Sequence, residues 1–323
     1  MTAAPNPLRL RPLGRTDLQV SPVCVGYAPL GDMPETFSYS VPEERALETV
    51  RAAFASPITF ADTAAIYGDG ESERRIGIVL REIGGLPPGY VLATKADRDP
   101  RTGDFSGEQI KRSVEGSLKR LGLDHIQLMY IHDPEHTTFE TIMGPGGALE
   151  VLQQFQREGV IAHLGISGGP IDMLIRYVET GAFVAVETHN RYTLLNRSAT
   201  PLLDVAARMG VAVVNAAPYG SGMLAKGPDA YARYAYQDAP TAIVERTRRM
   251  AALCQERGVP LAAAALQFSM RDPRVTSTVV GMTRPERIAQ TIELARHPIP
   301  DELWPQLDAL GFDVDDPEAH RWD

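Results

Sequence analysis

The sequence predicts a closed parallel (β/α)8 barrel of the TIM type, entered by an N-terminal β-hairpin and followed by a C-terminal extension. Three observations predict it. Eight short apolar runs, rich in β-branched residues, are each followed by a stretch of helical periodicity. The runs are almost continuously apolar, as strands covered on both faces of a parallel sheet must be. No G-x-G-x-x-G follows the first run, so the glycine fingerprint of an open doubly wound sheet is missing, and eight units in 323 residues fit one barrel domain over 1–323.

In order, Leu10 to Val25 reads as short strands and turns, with Gly14-Arg15-Thr16-Asp17 as a hairpin turn and Val23-Cys24-Val25-Gly26 as the first barrel strand. A helix begins near Pro42, with Glu43 and Glu44 at the positive end of its dipole and Ala46, Leu47, Val50 and Phe54 at helical spacing. Ile58-Thr59-Phe60 precedes helix 71–82, Tyr90 to Thr94 precedes helix 107–121, Ile126 to Ile131 precedes helix 147–158, and Val160 to Ile166 precedes helix 170–180. Phe183 to Glu187 then precedes helix 199–209, Val211 to Asn215 precedes a long loop and helix 242–257, and Val275 to Val280 precedes helix 285–296. Segments 216–241, 259–272 and 298–323 are additions to the repeat.

Composition narrows the function. A net charge of −9 with no basic stripe argues against a nucleic-acid partner, and 44% hydrophobic residues supply a large core. Cys24 and Cys254, each among apolar neighbours, read as buried free thiols in a reducing compartment. The N-terminus lacks the pattern of a signal peptide, and no apolar run approaches the ~18 residues of a membrane span. These features read as a soluble, cytoplasmic protein without a membrane partner.

Active sites of such barrels lie at the C-terminal ends of the strands, so polar residues there carry the information. Asp62 ends the second strand with Tyr67 in the loop beyond it, Lys95 ends the third, and His132 ends the fourth. A carboxylate, a phenol, an ammonium and an imidazole converge on one mouth. A nearby ammonium favours the phenolate and should draw the tyrosine below its ordinary value near 10, while Asp62 holds the lysine charged and His132 orients a carbonyl oxygen or relays a proton. The assembly is a proton donor beside a carbonyl with no nucleophile, so a hydride must come from a cofactor.

The set Asp62, Tyr67, Lys95 and His132, set in Phe-Ala-Asp-Thr-Ala…Tyr-Gly…Ser-Glu, Ala-Thr-Lys and Ile-His-Asp, resembles the catalytic tetrad of the aldo-keto reductases. The resemblance runs from about Leu13 through Leu310, and the segments 188–195 and 215–219 are most similar to the bacterial aldose 1-dehydrogenases and pyridoxal 4-dehydrogenase. It implies NADP(H) or NAD(H) as cofactor, no metal, and a small carbonyl, aldehyde or sugar substrate. By the same resemblance Ser167 meets the nicotinamide carboxamide, with His189 or Asn190 where the family has a glutamine. Pro218, Tyr219, Gly220, Ser221, Gly222 and Leu224 match the segment over the pyrophosphate, although the family's stacking aromatic aligns nearer Ala216. Gly281, Thr283, Arg284 and Arg287 open the last helix, where free amides and two arginines suit a phosphate.

Each residue also has a bland explanation. Taken singly, Asp62 could cap a helix, Tyr67 could be a rim aromatic, Lys95 a solvated strand end and His132 a hydrogen-bonded core histidine. Their occurrence at three successive strand ends favours a site. A metal hydrolase is disfavoured because Pro134 separates His132 from His136 and neither His-x-His at the first strand nor His-Glu-x-x-His occurs. The remaining alternative is a barrel that binds NADP(H) for regulation without turning over. The acidic tail from Asp313 to Asp323 reads as solvated, and the tyrosines of loop 216–241, with Trp322, are candidates to close over the substrate.

Overall fold

A computed structural model of the chain describes residues 8–319, and Trp322 lies outside them. Its centre is a closed parallel barrel of eight strands: β1 Val23–Gly26, β2 Phe60–Asp62, β3 Val91–Ala96, β4 Ile126–His132, β5 Ile161–Ser167, β6 Ala185–His189, β7 Ala212–Ala216 and β8 Val275–Gly281. Each strand pairs with the next, and β8 closes on β1 with Gly281 opposite Gly26. The expected eight-stranded barrel is therefore observed.

Period-two alternation explains where the polar residues go. Cys24, Phe60, Ala93, Leu128, Tyr130, Ala185, Val214 and Val279 pack together as one apolar cluster inside the barrel. Two residues further along their strands stand Gly26, Asp62, Lys95, His132, Glu187, Ala216 and Gly281, so these share the inward direction one layer nearer the mouth. Register keeps the layer level, since His132 lies opposite Ser167 and Ser167 opposite Glu187.

The other end of the barrel is plugged. The hairpin pairing Arg11–Pro12 with Gln19–Val20 places Leu13 and Val20, both fully buried, against that interior cluster. Arg11 anchors it by donating to the carbonyls of Val275 at 2.7 Å and Met270 at 2.8 Å.

Outside the barrel lie α1 Glu43–Phe54, α2 Glu71–Ile83, α3 Gly107–Leu121, α4 Ala148–Arg157, α5 Ile171–Glu179, α6 Thr200–Met209, α7 Thr241–Glu256, α8 Leu261–Arg271, α9 Pro285–Arg296 and α10 Leu303–Asp308. One pairing differs from expectation. The helix that packs on the barrel between β7 and β8 is α8, from the segment read as an addition, whereas α7 lies outside it against α8 and α10. Burial shows why: seven residues of α8 are buried, including Ala263, Ala264, Ala265, Leu266 and Phe268, but α7 buries only the stripe Ile243, Thr247, Met250 and Cys254.

The acidic tail is not simply solvated. Asp313 bridges to Asn196, Asn196 Nδ2 donates to the Asp315 carbonyl at 2.8 Å, and Glu318 is buried. Loop 216–241 reaches the loop after β1, with Arg233 donating to Ser38 Oγ at 2.7 Å and Tyr236 edge-on to Phe37 at 6.4 Å. No helix among the described residues is long and apolar enough to cross a membrane.

Candidate active site

The four strand-end residues meet at the barrel mouth. Lys95 is fully buried, and its Nζ donates to Asp62 Oδ2 at 2.5 Å, to the Thr63 carbonyl at 3.0 Å and to the Tyr67 hydroxyl at 3.1 Å. The ammonium thereby spends all three of its donors. The His132 ring stands perpendicular to the Tyr67 ring with centroids 5.7 Å apart.

Local sequence holds Tyr67 in place. Gly68 has φ +64, and a Cβ there would lie 1.9 Å from the Gly31 carbonyl oxygen, so only glycine lets the two loops touch at this point. The Ser72-Glu73 pair that follows serves structure. Ser72 Oγ bonds to Thr63 Oγ1 at 2.8 Å and to the Tyr27 carbonyl at 2.9 Å, while buried Glu73 accepts from Thr94 at 2.5 Å and from Arg120 at 2.8 Å.

Two acids that the sequence reading did not single out complete the arrangement. Asp97, buried two residues beyond Lys95, lies with Oδ1 2.6 Å from His132 Nδ1, and its Oδ2 accepts the Ile66 amide at 2.9 Å. Its position in Lys-Ala-Asp, one inward step past the lysine, was the available signal. Glu187 projects from β6 across the barrel, with Oε1 3.5 Å from Lys95 Nζ.

These charges decide the protonation states. Burial raises the Tyr67 phenol well above its ordinary value; Asp62 and Glu187 push the same way, and Lys95 opposes them. The expected lowering by the ammonium therefore has the right sign but is outweighed, and the phenol is the neutral, proton-donating form. Burial and Glu187 push Asp62 up to about 7, against the pull of Lys95. Burial opposes charge on His132, but Asp133 and Asp97 raise it to about 9, so it is an imidazolium at neutral pH.

The residues expected around a cofactor fall into two groups. Ser167 lies beside the tetrad, its Oγ donating to Glu187 Oε1 at 3.4 Å. His189 and Asn190 sit at the end of β6 but are engaged by the tail: Glu318 Oε1 lies 3.2 Å from His189 Nε2 and accepts from Asn190 Nδ2 at 2.8 Å. Nothing in the composition of the tail separated Glu318 from its solvated acidic neighbours.

After β7, Pro218 and Gly220 are buried, Gly220, Ser221 and Gly222 have positive φ, and Ser221 Oγ donates to Asn190 Oδ1 at 3.2 Å. Tyr219 packs against two core clusters, and Leu224 is fully buried. Gly281, Thr283 and Arg284 lead into α9, whose Arg287 bonds Gln290 Oε1 at 2.6 Å and bears electrostatically on Tyr219 and Lys226. Beside these elements is a cavity of about 480 Å3 whose lining includes Leu224, Lys226, Gln290 and Glu293. No group of three or more His, Cys, Asp and Glu side chains suited to a metal ion occurs among the described residues.

Comparison with known proteins agrees with this geometry. The model of the aldo/keto reductase family matches residues 22–311. The chain is 33% identical over 289 residues to D-threo-aldose 1-dehydrogenase of a Pseudomonas species, covering 82% of this chain and 87% of that protein. It is 31% identical over 339 residues to pyridoxal 4-dehydrogenase of Microbacterium luteolum, covering 94% and 97%. The structure of an aldo-keto reductase from Bacillus halodurans in its holo form superposes with a TM-score of 0.77 at 24% identity, over 97% of this chain and 99% of that one. The protein is an oxidoreductase that belongs to the aldo/keto reductase family.

Proposed function

We propose that the chain is an NAD(P)-dependent oxidoreductase that moves a hydride between nicotinamide C4 and a carbonyl or hemiacetal carbon, with C1 of an aldose or a small aldehyde as the substrate carbon. One observation carries the reading: a buried ammonium touches both a carboxylate and a phenol at the barrel mouth, with an imidazole facing that phenol.

The residues present fit a dinucleotide. Ser167 offers a hydroxyl beside the tetrad, the left-handed turns from Ala217 to Gly222 bring backbone close to whatever lies over the mouth, and α9 has the length to present amides and a positive dipole end to a phosphate. Arg284 and Arg287 add cationic side chains there. When bound, the cofactor supplies or accepts the hydride.

The chain's own residues handle the proton. In reduction, neutral Tyr67 donates its proton to the substrate oxygen, and Lys95 stabilises the phenolate left behind. In oxidation, Tyr67 as phenolate takes the proton of the substrate hydroxyl. His132, with Nδ1 pinned to Asp97, presents Nε2–H to the same oxygen and orients it. Asp62 keeps Lys95 aimed.

The test is a panel of aldoses, pyridoxal and simple aldehydes with NAD+, NADP+ and their reduced forms, read by nicotinamide absorbance. Turnover with an aldose or aldehyde supports the reading. Cofactor-induced fluorescence changes without consumption would identify a binding protein instead.

A further inference from the structure

Glu187 is a buried acid with one oxygen unaccounted for. It stands two residues beyond inward-facing Ala185, so strand alternation turns it into the barrel, where it is 5% exposed. Its Oε1 approaches Lys95 Nζ at 3.5 Å and accepts from Ser167 Oγ at 3.4 Å. Its Oε2 is buried with no hydrogen-bond partner among the described residues. A buried carboxylate oxygen left bare is costly unless something positive or hydrogen-bonding meets it.

The charges around it do not cancel. Lys95 faces two carboxylates, Asp62 and Glu187, and the layer beneath is Cys24, Phe60, Ala93, Leu128 and Tyr130, none of them cationic. The nearby imidazolium of His132 is matched by Asp97 at 2.6 Å and Asp133 at 3.5 Å. Arg98 lies 3.8 Å from Asp133 and balances that acid. Once Asp62 has lost its proton, above about pH 7, one negative charge remains in excess beneath the mouth, from Asp62 and Glu187 against Lys95.

We propose that Glu187 sets which redox form of the cofactor the barrel mouth prefers: its carboxylate, the second partner of Lys95, favours the cationic oxidised nicotinamide over the neutral reduced one. This rests on the nicotinamide reading above, which places Ser167, the hydrogen-bond neighbour of Glu187, against the carboxamide. The two ring forms differ by one positive charge, so a buried negative charge nearby discriminates between them by Coulomb attraction alone. Glu187 acts as an electrostatic positioning residue, and it raises the share of the chain that carries the oxidised cofactor.

The experiment measures dissociation constants of NAD+, NADH, NADP+ and NADPH, without substrate, for the wild type and for Glu187→Gln, which keeps the side chain's size and removes its charge. The wild type should bind the oxidised form of its cofactor more tightly than the reduced form. Glu187→Gln should reduce that preference on the order of tenfold. A preference unchanged in Glu187→Gln, or a wild type that favours the reduced form, overturns the proposal; the second result needs no variant to fold. Failure of all four nucleotides to bind the wild type overturns the cofactor reading itself and this inference with it.

Discussion

Asp97 Oδ1 lies 2.6 Å from His132 Nδ1, while the other oxygen of the same carboxylate holds the Ile66 amide at 2.9 Å, one residue before Tyr67. One buried acid thus holds the imidazolium ring and the loop that carries the phenol. Asp97→Asn removes the charge that supports the imidazolium. Turnover should fall about tenfold or more, as for loss of the partner that holds a substrate-orienting side chain, and the histidine's titration should move down from about 9. NMR titration of the His132 ring checks it, and an unmoved titration would refute the coupling.

The same histidine makes stability depend on pH with a definite sign. Its folded value of about 9 exceeds its ordinary 6.5, so its contribution is fully present below about 6.5 and is lost as pH rises through 9. Asp62, pushed up to about 7, also loses stability as pH rises through 7, but wild type and variant share that change, so the comparison between them reads the histidine. Denaturation midpoints at pH 6 and pH 9.5 should drop more for the wild type than for His132→Gln. Equal drops would show that the imidazolium carries no such stability.

Tyr67→Phe removes the proposed proton donor and leaves Lys95 with its bonds to Asp62 and the Thr63 carbonyl. Turnover should fall roughly 10²–10⁴-fold with cofactor affinity nearly unchanged. Steady-state rates beside cofactor fluorescence titration decide it; retained turnover would remove Tyr67 from its proposed role.

Gly68→Ala should destabilise the fold by at least about 2 kcal/mol, because it combines a left-handed backbone with a clash against backbone that cannot rotate away. Gly84, also at positive φ but with nothing within 4 Å of an added Cβ, is the control. Gly84→Ala should cost only about 1 kcal/mol. Comparable denaturant midpoints for the two variants would show that the Gly31 contact gives way easily.

Glu318→Ala leaves His189, Asn190 and Arg191 without their shared acceptor. Since the pair with Arg191 is buried, the loss should cost about 3 kcal/mol and free the tail, read as faster proteolysis near residues 313–319. Unchanged cleavage would mean that the bridge between Asp313 and Asn196 is sufficient to dock the tail.

Much of this was legible in one dimension. Runs such as Val91 to Ala96 announce a strand by composition alone, and period two then obliges Lys95 to share the inward direction of Ala93, just as Asp62 shares that of Phe60 and His132 that of Tyr130. Because strand order places all strand ends at one mouth, the tetrad followed from local pattern. The roles of α7 and α8 did not, since both are helical by sequence and only the space left on the barrel selects the helix that is apolar nearly all round.

The sequence by itself determined the barrel, its hairpin entrance and the four residues at its mouth, because these depend on periodicities only a few residues long. Only the tertiary structure decided which charges meet. Glu187 faces Lys95 from across the barrel, and Glu318 reaches Asn190 over 128 residues of chain. The protonation of Tyr67 was decided the same way, since it is a sum over burial, one ammonium and two carboxylates that only folding brings within range. Coulomb energies depend on distance in space and on the local dielectric, neither of which is written in the order of the residues.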